Sequence, residues 1–336
     1  PFPVQYLPEF TFTDVEDCQA GTATVTVNGG LPAIDGSNFT ATNLLPATAT
    51  FGNTTATDGG TITINGLQGG DMWSFTVDDG NGCPYTVSGG PFPPLEDPGF
   101  SYTGGVWCTN DPNQNPVITG VAGGTFTVAP AGLSINAGTG QINTGASTPG
   151  TYDVTYTTPG VCFDDSTVTV TINPVPTVDP VADQTICEGT NFTAVNFTGT
   201  AGATFDWTNA NVNIGLAAAG TGDIASFTGT TTGAQEVSNL TVTPTLNGCT
   251  GNSENWLFTV NPQEDAGWSY PQTAWCTSEA GAAATITGTA GGTFTATPAG
   301  LTLDANTGQV TPGTSTPGTY DVTYTTTGIC FDDSTI

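Results

Sequence analysis

The acid pairs Asp164-Asp165 and Asp332-Asp333 are the first groups in this sequence that could do chemistry. Two carboxyl groups set about 5–10 Å apart across a cleft can divide acid and base duties in glycoside hydrolysis. Here the two acids are adjacent, stand beside a cysteine and recur in two places, which suits a turn or a strand edge better than a cleft. The run Asp78-Asp79-Gly80-Asn81-Gly82 is rich in oxygen donors, and Asp78, Asp79 and Asn81 could ligate Ca²⁺. It lacks the spaced ligands and distal Glu of an EF-hand loop and reads more simply as a β-turn. Glu96-Asp97 and Glu264-Asp265 are 168 residues apart, each in a segment between repeats. Calcium held there would stiffen the joints; otherwise these acids are solvated linker residues. Ca²⁺ is the one cofactor this set of residues suggests, and no catalytic residue emerges from it.

The rest of the composition closes most other routes. The 336 residues include no Lys, no Arg and no His, against 29 Asp and Glu, for a formal net charge of −29. Nucleic-acid backbones are held chiefly by Lys and Arg. Proton transfer near neutral pH leans on His. A Ser-His-Asp triad, a P-loop lysine and a His-bound zinc cannot be built, nor can a Lys–Asn isopeptide staple. With no cation there is no internal salt bridge, and trypsin finds no site. Uniform negative charge keeps copies of the chain apart in solution. No apolar run approaches the 18 or so residues of a membrane helix. The opening Pro1-Phe2-Pro3-Val4 shows no basic leader, so the sequence reads as a mature or excised segment.

What positions these acids must be strands. Thr is the commonest residue, Gly numbers 46, and the strong helix formers are scarce or absent. Ala23-Thr24-Val25-Thr26-Val27, Thr61-Ile62-Thr63-Ile64, Tyr152-Asp153-Val154-Thr155-Tyr156 and Val168-Thr169-Val170-Thr171-Ile172 alternate with period two. Asn28-Gly29-Gly30, Asp58-Gly59-Gly60, Asn81-Gly82, Pro149-Gly150 and Asn247-Gly248 mark turns. The prediction is an all-β chain of four Ig-like β-sandwich domains in tandem, forming an elongated rod. The expected domains are 1–92, 93–173, 174–261 and 262–336, separated by Pro-rich joints at 90–94, 173–176 and 261–262.

Eight cysteines punctuate the array. Taken in consecutive pairs they are 65, 54, 62 and 54 residues apart. The expectation is one disulfide inside each domain: Cys18–Cys83, Cys108–Cys162, Cys187–Cys249 and Cys276–Cys330. That implies an oxidising, extracellular setting. A bridge from Cys18 to another repeat, or substantial helix, would undo this picture.

The second and fourth domains are copies at a constant offset of 168. Trp107-Cys108 matches Trp275-Cys276, and Gly123-Gly124-Thr125-Phe126-Thr127 matches Gly291-Gly292-Thr293-Phe294-Thr295. Ser147 through Tyr156 matches Ser315 through Tyr324 unchanged, and Cys162-Phe163-Asp164-Asp165-Ser166-Thr167 matches Cys330 through Thr335. The fourth copy stops at Ile336, where the second continues with Thr169-Val170-Thr171-Ile172. The simplest expectation is a window cut from a longer series of repeats; the sharper one is a strand supplied by a neighbouring subunit. Trp107, Trp207 and Trp275 read as core residues against the disulfides in preference to sugar platforms. Thr-rich strands of this length suit a solvent face, not an ice-binding ladder, and the scattered Asn-x-Thr triplets read as chance.

With those motifs on the page, the second and fourth domains resemble a repeat of giant secreted surface proteins of Bacteroidota. It is marked by Trp-Cys, Gly-Gly-Thr-Phe-Thr, Pro130-Ala131-Gly132-Leu133-Ser134-Ile135 and Ser-Thr-Pro-Gly-Thr-Tyr-Asp-Val-Thr-Tyr. The third domain resembles a PKD-like repeat of the same proteins, through Ile186-Cys187, Phe205-Asp206-Trp207-Thr208-Asn209 and Asn247-Gly248-Cys249. The first is similar to a gliding-motility adhesin repeat through Phe75-Thr76-Val77-Asp78-Asp79-Gly80-Asn81-Gly82-Cys83. The resemblance implies Ig-like folds, type 9 secretion and a surface filament or adhesin linked to gliding or attachment. It also implies O-glycosylation at Asp-Ser-Thr, hence at Ser166 and Ser334. Expected partners are further repeats of the same chain or identical subunits, and surface glycans, without nucleic acid or membrane insertion. The alternative reading is a glycan- or calcium-dependent binding module, with a carboxylate glycosidase as the remaining one.

Overall fold

The computed structural model describes residues 7–82 and 84–336. Strand dominates throughout. Helical structure among the described residues amounts to one four-residue turn, Pro32–Asp35, and three-residue 3₁₀ turns at Thr144–Ala146, Val212–Ile214 and Pro312–Thr314. The chain divides into two compact units, residues 1–173 and 174–336. Each contains two separate hydrophobic cores, drawn from 23–92 and 100–172 in the first and from 192–260 and 266–324 in the second.

The first repeat is a sandwich of two four-stranded sheets. Strands Thr22–Asn28 and Thr61–Asn65 turn Ala23, Val25, Val27, Ile62 and Ile64 fully inward and their Thr residues outward, as period-two alternation requires. The facing sheet contributes Phe39, Trp73, Phe75 and Val87. Trp73 lies directly opposite Gly89, where a Cβ would stand 2.3 Å from the indole; Trp207 and Gly220 repeat the arrangement in the third repeat. Glycine is used there because the neighbouring strand must leave room for a ring.

The second repeat shows what its copied motifs are for. Strands Thr125–Ala129, Gly150–Thr157 and Asp165–Asn173 form an antiparallel sheet, and Val106–Cys108 adds to its edge in parallel with Thr171–Asn173. Gly124 abuts the Tyr156 ring and donates its N–H to the Tyr156 hydroxyl at 2.9 Å, while that hydroxyl donates to the Val121 carbonyl. Gly292, Tyr324 and Thr289 repeat this in the fourth repeat. The Ser-Thr-Pro-Gly-Thr-Tyr segment closes as a tyrosine corner: Tyr152 Oη donates to the Thr148 carbonyl at 2.6 Å, and Tyr320 Oη to that of Thr316 at 2.5 Å. The third repeat carries its core on one large sheet, centred on the eleven-residue strand Glu236–Leu246.

The disulfide pattern overturns the expectation of sandwiches each cross-linked within itself, since Cys18 bridges to another repeat. Cys18 is bonded to Cys162 and Cys187 to Cys330, each across a repeat boundary. Cys108 and Cys249 are also disulfide-bonded, Cys276 is free and exposed, and Cys83 lies outside the described residues. The expected Cys18–Cys83, Cys108–Cys162, Cys187–Cys249 and Cys276–Cys330 bridges are therefore replaced. Strand length explains two of these outcomes. Cys108 pairs with Asn173 at the far end of the nine-residue strand whose near end follows Cys162. Nine residues at about 3.3 Å each put the two thiols well beyond the roughly 7 Å Cα limit of a disulfide. Cys187 likewise pairs with Asn261 at the end of Glu254–Asn261, while Cys249 precedes that strand's start.

Candidate functional site

The chain's most developed constellation is the repeat joint, built twice. In the second repeat, the loop 158–164 links strands Gly150–Thr157 and Asp165–Asn173. Thr158 closes its neck: Asp164 N–H donates to Thr158 Oγ1 at 2.8 Å, and Thr158 N–H donates to the Asp164 carbonyl. The loop's tip carries Cys162 to Cys18, which follows the first repeat's edge strand Thr11–Asp17. The linker that leads into the second repeat grips the same loop. Glu96 N–H donates to the Cys162 carbonyl at 2.8 Å, and Gly160 N–H donates to Glu96 Oε2 at 3.1 Å. Gln19 reaches across from the first repeat to donate to the Phe163 carbonyl.

The second joint repeats these contacts. Cys330 is bonded to Cys187, Glu264 N–H donates to the Cys330 carbonyl at 3.0 Å, and Gly328 N–H donates to Glu264 Oε2 at 3.2 Å. Gln263 donates to the Phe331 carbonyl at 3.0 Å. Gly160 and Gly328 are needed because a Cβ would stand 1.7 and 1.5 Å from the gripping carboxylates. Sequence separations of 144 and 143 between bonded cysteines show one device used twice. Sequence reasoning missed it because equal spacing fits within-repeat and between-repeat pairing alike. The signal available in the sequence is the pair Glu96/Glu264 at the offset of 168, whose residue types fit a metal site or a solvated linker equally well.

The candidate calcium ligands are placed as follows. Glu96 and Glu264 hold loop amides; Asp97 and Asp265 each accept the N–H two residues on, from Gly99 and Gly267. Asp79 is fully buried, with its carboxylate accepting from Leu31 N–H, Asn81 N–H and Asn81 Nδ2; Asp78 accepts from Gly80. These three donors hold the Asp79 carboxylate in a chain that has no basic side chain. No group of three or more acidic or Cys side chains converges as a metal cage among the described residues. Asp164 and Asp165 sit at the neck of the bridging loop, and Asp332 accepts from Ala266 N–H. Ser166 Oγ donates to the Pro98 carbonyl at 2.7 Å, so this candidate glycosylation hydroxyl is engaged in the linker; Ser334 lies in the matching strand Asp333–Thr335. Trp107 is buried against the edge of Tyr102 in place of a disulfide, Trp207 is buried, and Trp275 is half-exposed.

No protein-family model matches this chain, and no curated protein does. The resemblance to Bacteroidota surface repeats thus stands on the quoted residues alone. Among solved structures, cadherin domains 3–6 of protocadherin gamma B2 align over 98% of this chain and 97% of theirs, at 10% identity and a TM-score of 0.32. Mouse cadherin-23 EC22-24 aligns over 71% of this chain and 97% of its own, at 15% identity and TM-score 0.29. The eight N-terminal Ig domains of Down syndrome cell adhesion molecule align over 98% of this chain and 54% of their own, at 10% identity and TM-score 0.31. Scores at this level carry no inference about the chain, whose reading rests on its own joints.

Proposed function

We propose that the chain is a structural and adhesive segment of an extracellular protein, in which β-sandwich repeats are coupled covalently across their boundaries and no catalysis takes place. The observation that carries this is the duplicated joint: a disulfide, a carboxylate-held loop and a linker amide, at matching positions in both units. A bridge that spans some 144 residues ties two sandwiches into one covalent body, so that tension passes from one repeat to the next without unravelling the chain between the two cysteines. Such bridges persist in an oxidising setting. The absence of basic side chains supports the same reading, since it leaves disulfides as the means of covalent reinforcement and keeps neighbouring chains apart.

On the residues of the resemblance, the parent is a bacterial surface filament or adhesin exported by the type 9 route, with further repeats or identical subunits as its partners. Immunogold labelling of intact producing cells with antibodies raised against residues 1–336 tests this. Gold on thin extracellular fibres is the expected result; gold confined to the cell interior contradicts it.

A further inference from the structure

We infer that the fourth repeat carries a binding site for a neutral sugar, a hexopyranose unit of a surface polysaccharide, which its copy in the second repeat lacks. The site is an open recess of about 550 Å³, lined by Ala283, Thr302, Leu303, Asp304, Gln309 and Thr311, among others. Most of the lining comes from one turn, 302–311. Asp304 N–H donates to the Gln309 carbonyl and Gly308 N–H donates to the Asp304 carbonyl, both at 2.9 Å, so the backbone fixes the turn by itself.

Two exchanges between the copies open the recess. In the second repeat Gln141, the counterpart of Gln309, donates through Nε2 to Asn115 Oδ1 at 2.9 Å and straps the same place shut. Gln114-Asn115-Pro116 becomes Ala282-Ala283-Ala284 in the fourth repeat. Ala283 offers Gln309 no partner, and Gln309 Nε2 turns to the Val310 carbonyl at 3.0 Å. Among the described residues nothing donates to Gln309 Oε1. The second exchange, Asn136 to Asp304, adds a carboxylate. Its Oδ1 takes three donors, the N–H groups of Asn306 and Thr307 and the Thr307 hydroxyl, which leaves Oδ2 for a ligand. Both exchanges are in the residues of the lining itself.

The chemistry of the occupant follows from that lining. Asp304 and Gln309 present acceptors, Thr302 and Thr311 present hydroxyls that donate or accept, and Leu303 and Ala283 supply apolar surface. A few placed polar groups on an apolar base fix a small ligand's orientation. A sugar ring matches this mixture, with hydroxyls at its edge and C–H groups on its faces. An anionic ligand is opposed by Asp304 and by the net charge of −29. Calcium takes about six to eight oxygen ligands, and this lining offers a single carboxylate. The inference rests on the adhesive reading and gives it a ligand. Its failure would remove this site alone, because the joints that carry that reading are tested through their disulfides.

The test titrates the whole oxidised, isotope-labelled chain with methyl β-D-glucopyranoside, methyl α-D-mannopyranoside and methyl β-D-galactopyranoside, and follows the amide resonances. Sodium glucuronate and CaCl₂ serve as controls. The expected result is saturable shifts with at least one glycoside, confined to 302–311 and the Gln309 side-chain amide, with 134–143 unmoved. Ala283→Asn restores the strap and should weaken binding at least tenfold. Asp304→Asn should do the same while keeping the turn, which Asn136 caps in the second repeat. Asn115→Ala combined with Asn136→Asp should create a second site at 134–143. Three results would overturn the inference: no saturable shift with any of the glycosides, undiminished binding in both fourth-repeat variants, or glucuronate or CaCl₂ alone binding there as tightly as the best glycoside.

Discussion

The Cα atoms of Cys18 and Cys162 stand 5.5 Å apart although 144 residues separate them in sequence. Cys187 and Cys330 repeat the relationship at 5.4 Å and 143 residues. Each bridge joins the end of a strand in one repeat to a loop tip in the next, so each couples two successive repeats covalently.

Closing a loop of this length limits the unfolded chain by about 5 kcal/mol in the chain-entropy model. Cys162→Ser should therefore lower the first unit's melting temperature steeply, with little change in the second. Cys330→Ser should do the reverse. Calorimetry of the two variants, with peptide mapping of the unreduced parent by an acidic-site protease, checks both the energetics and the pairing.

Gly160 and Glu96 should behave as one interaction. In Gly160→Ala the new methyl displaces the Glu96 carboxylate and loses its hydrogen bond, a cost of about 1–3 kcal/mol. In a Glu96→Ala background the same substitution should cost little, because the space is already free. A double-mutant cycle read by denaturant unfolding measures the coupling, and additive losses would argue against the grip.

Asp304 and its counterpart Asn136 cap the same turn with different chemistry. The Asp304 carboxyl lies below its ordinary value of 3.8, first because Thr307 N–H donates to it, then through the Thr307 hydroxyl and Asn306 N–H. A carboxyl lowered by folding stabilises above the ordinary value, and that contribution is lost as pH falls through the folded one. Asp304→Asn should thus match the parent near pH 7 and show less loss of stability between pH 4 and pH 2. Melting curves across that range, taken as the difference between the two proteins, isolate this group. At the alkaline end, burial pushes Tyr270 up to about 12 from 10. Its contribution is complete below pH 10 and fades as pH rises towards 12, and Tyr270→Phe should flatten that limb.

Added salt should stabilise the chain, since every charge on it repels every other and no ion pair is available to be screened. The carboxylates at the joints are already engaged with backbone amides. NaCl and CaCl₂ at matched ionic strength should therefore raise the melting temperature alike. A Ca²⁺-specific rise at millimolar concentration would instead point to a joint site.

Much of the fold was legible in the residues. Alternation in Thr22–Asn28 and Gly150–Thr157 announced strands and their inward faces, and the copied Gly-Gly-Thr-Phe and Pro-Gly-Thr-Tyr motifs announced equal turns. The pairing of cysteines was not legible. Alternation fixes which face a side chain occupies but not which end of a strand approaches which neighbour, and Cys108 and Cys162 lie at opposite ends of one strand. The roles of Glu96 and Glu264 were hidden for a related reason, because their partners Gly160 and Gly328 are 64 residues away and carry no side chain to betray the contact.

Stretching single molecules from residue 1 to residue 336, before and after reduction, tests the coupled-pair account most directly. Bridges at Cys18–Cys162 and Cys187–Cys330 hide two loops of 144 and 143 residues, so reduction should lengthen the fully extended chain by roughly 1,000 Å at 3.3–3.6 Å per residue. A gain of roughly 800 Å, the value for four bridges each closed inside its own repeat, would contradict it.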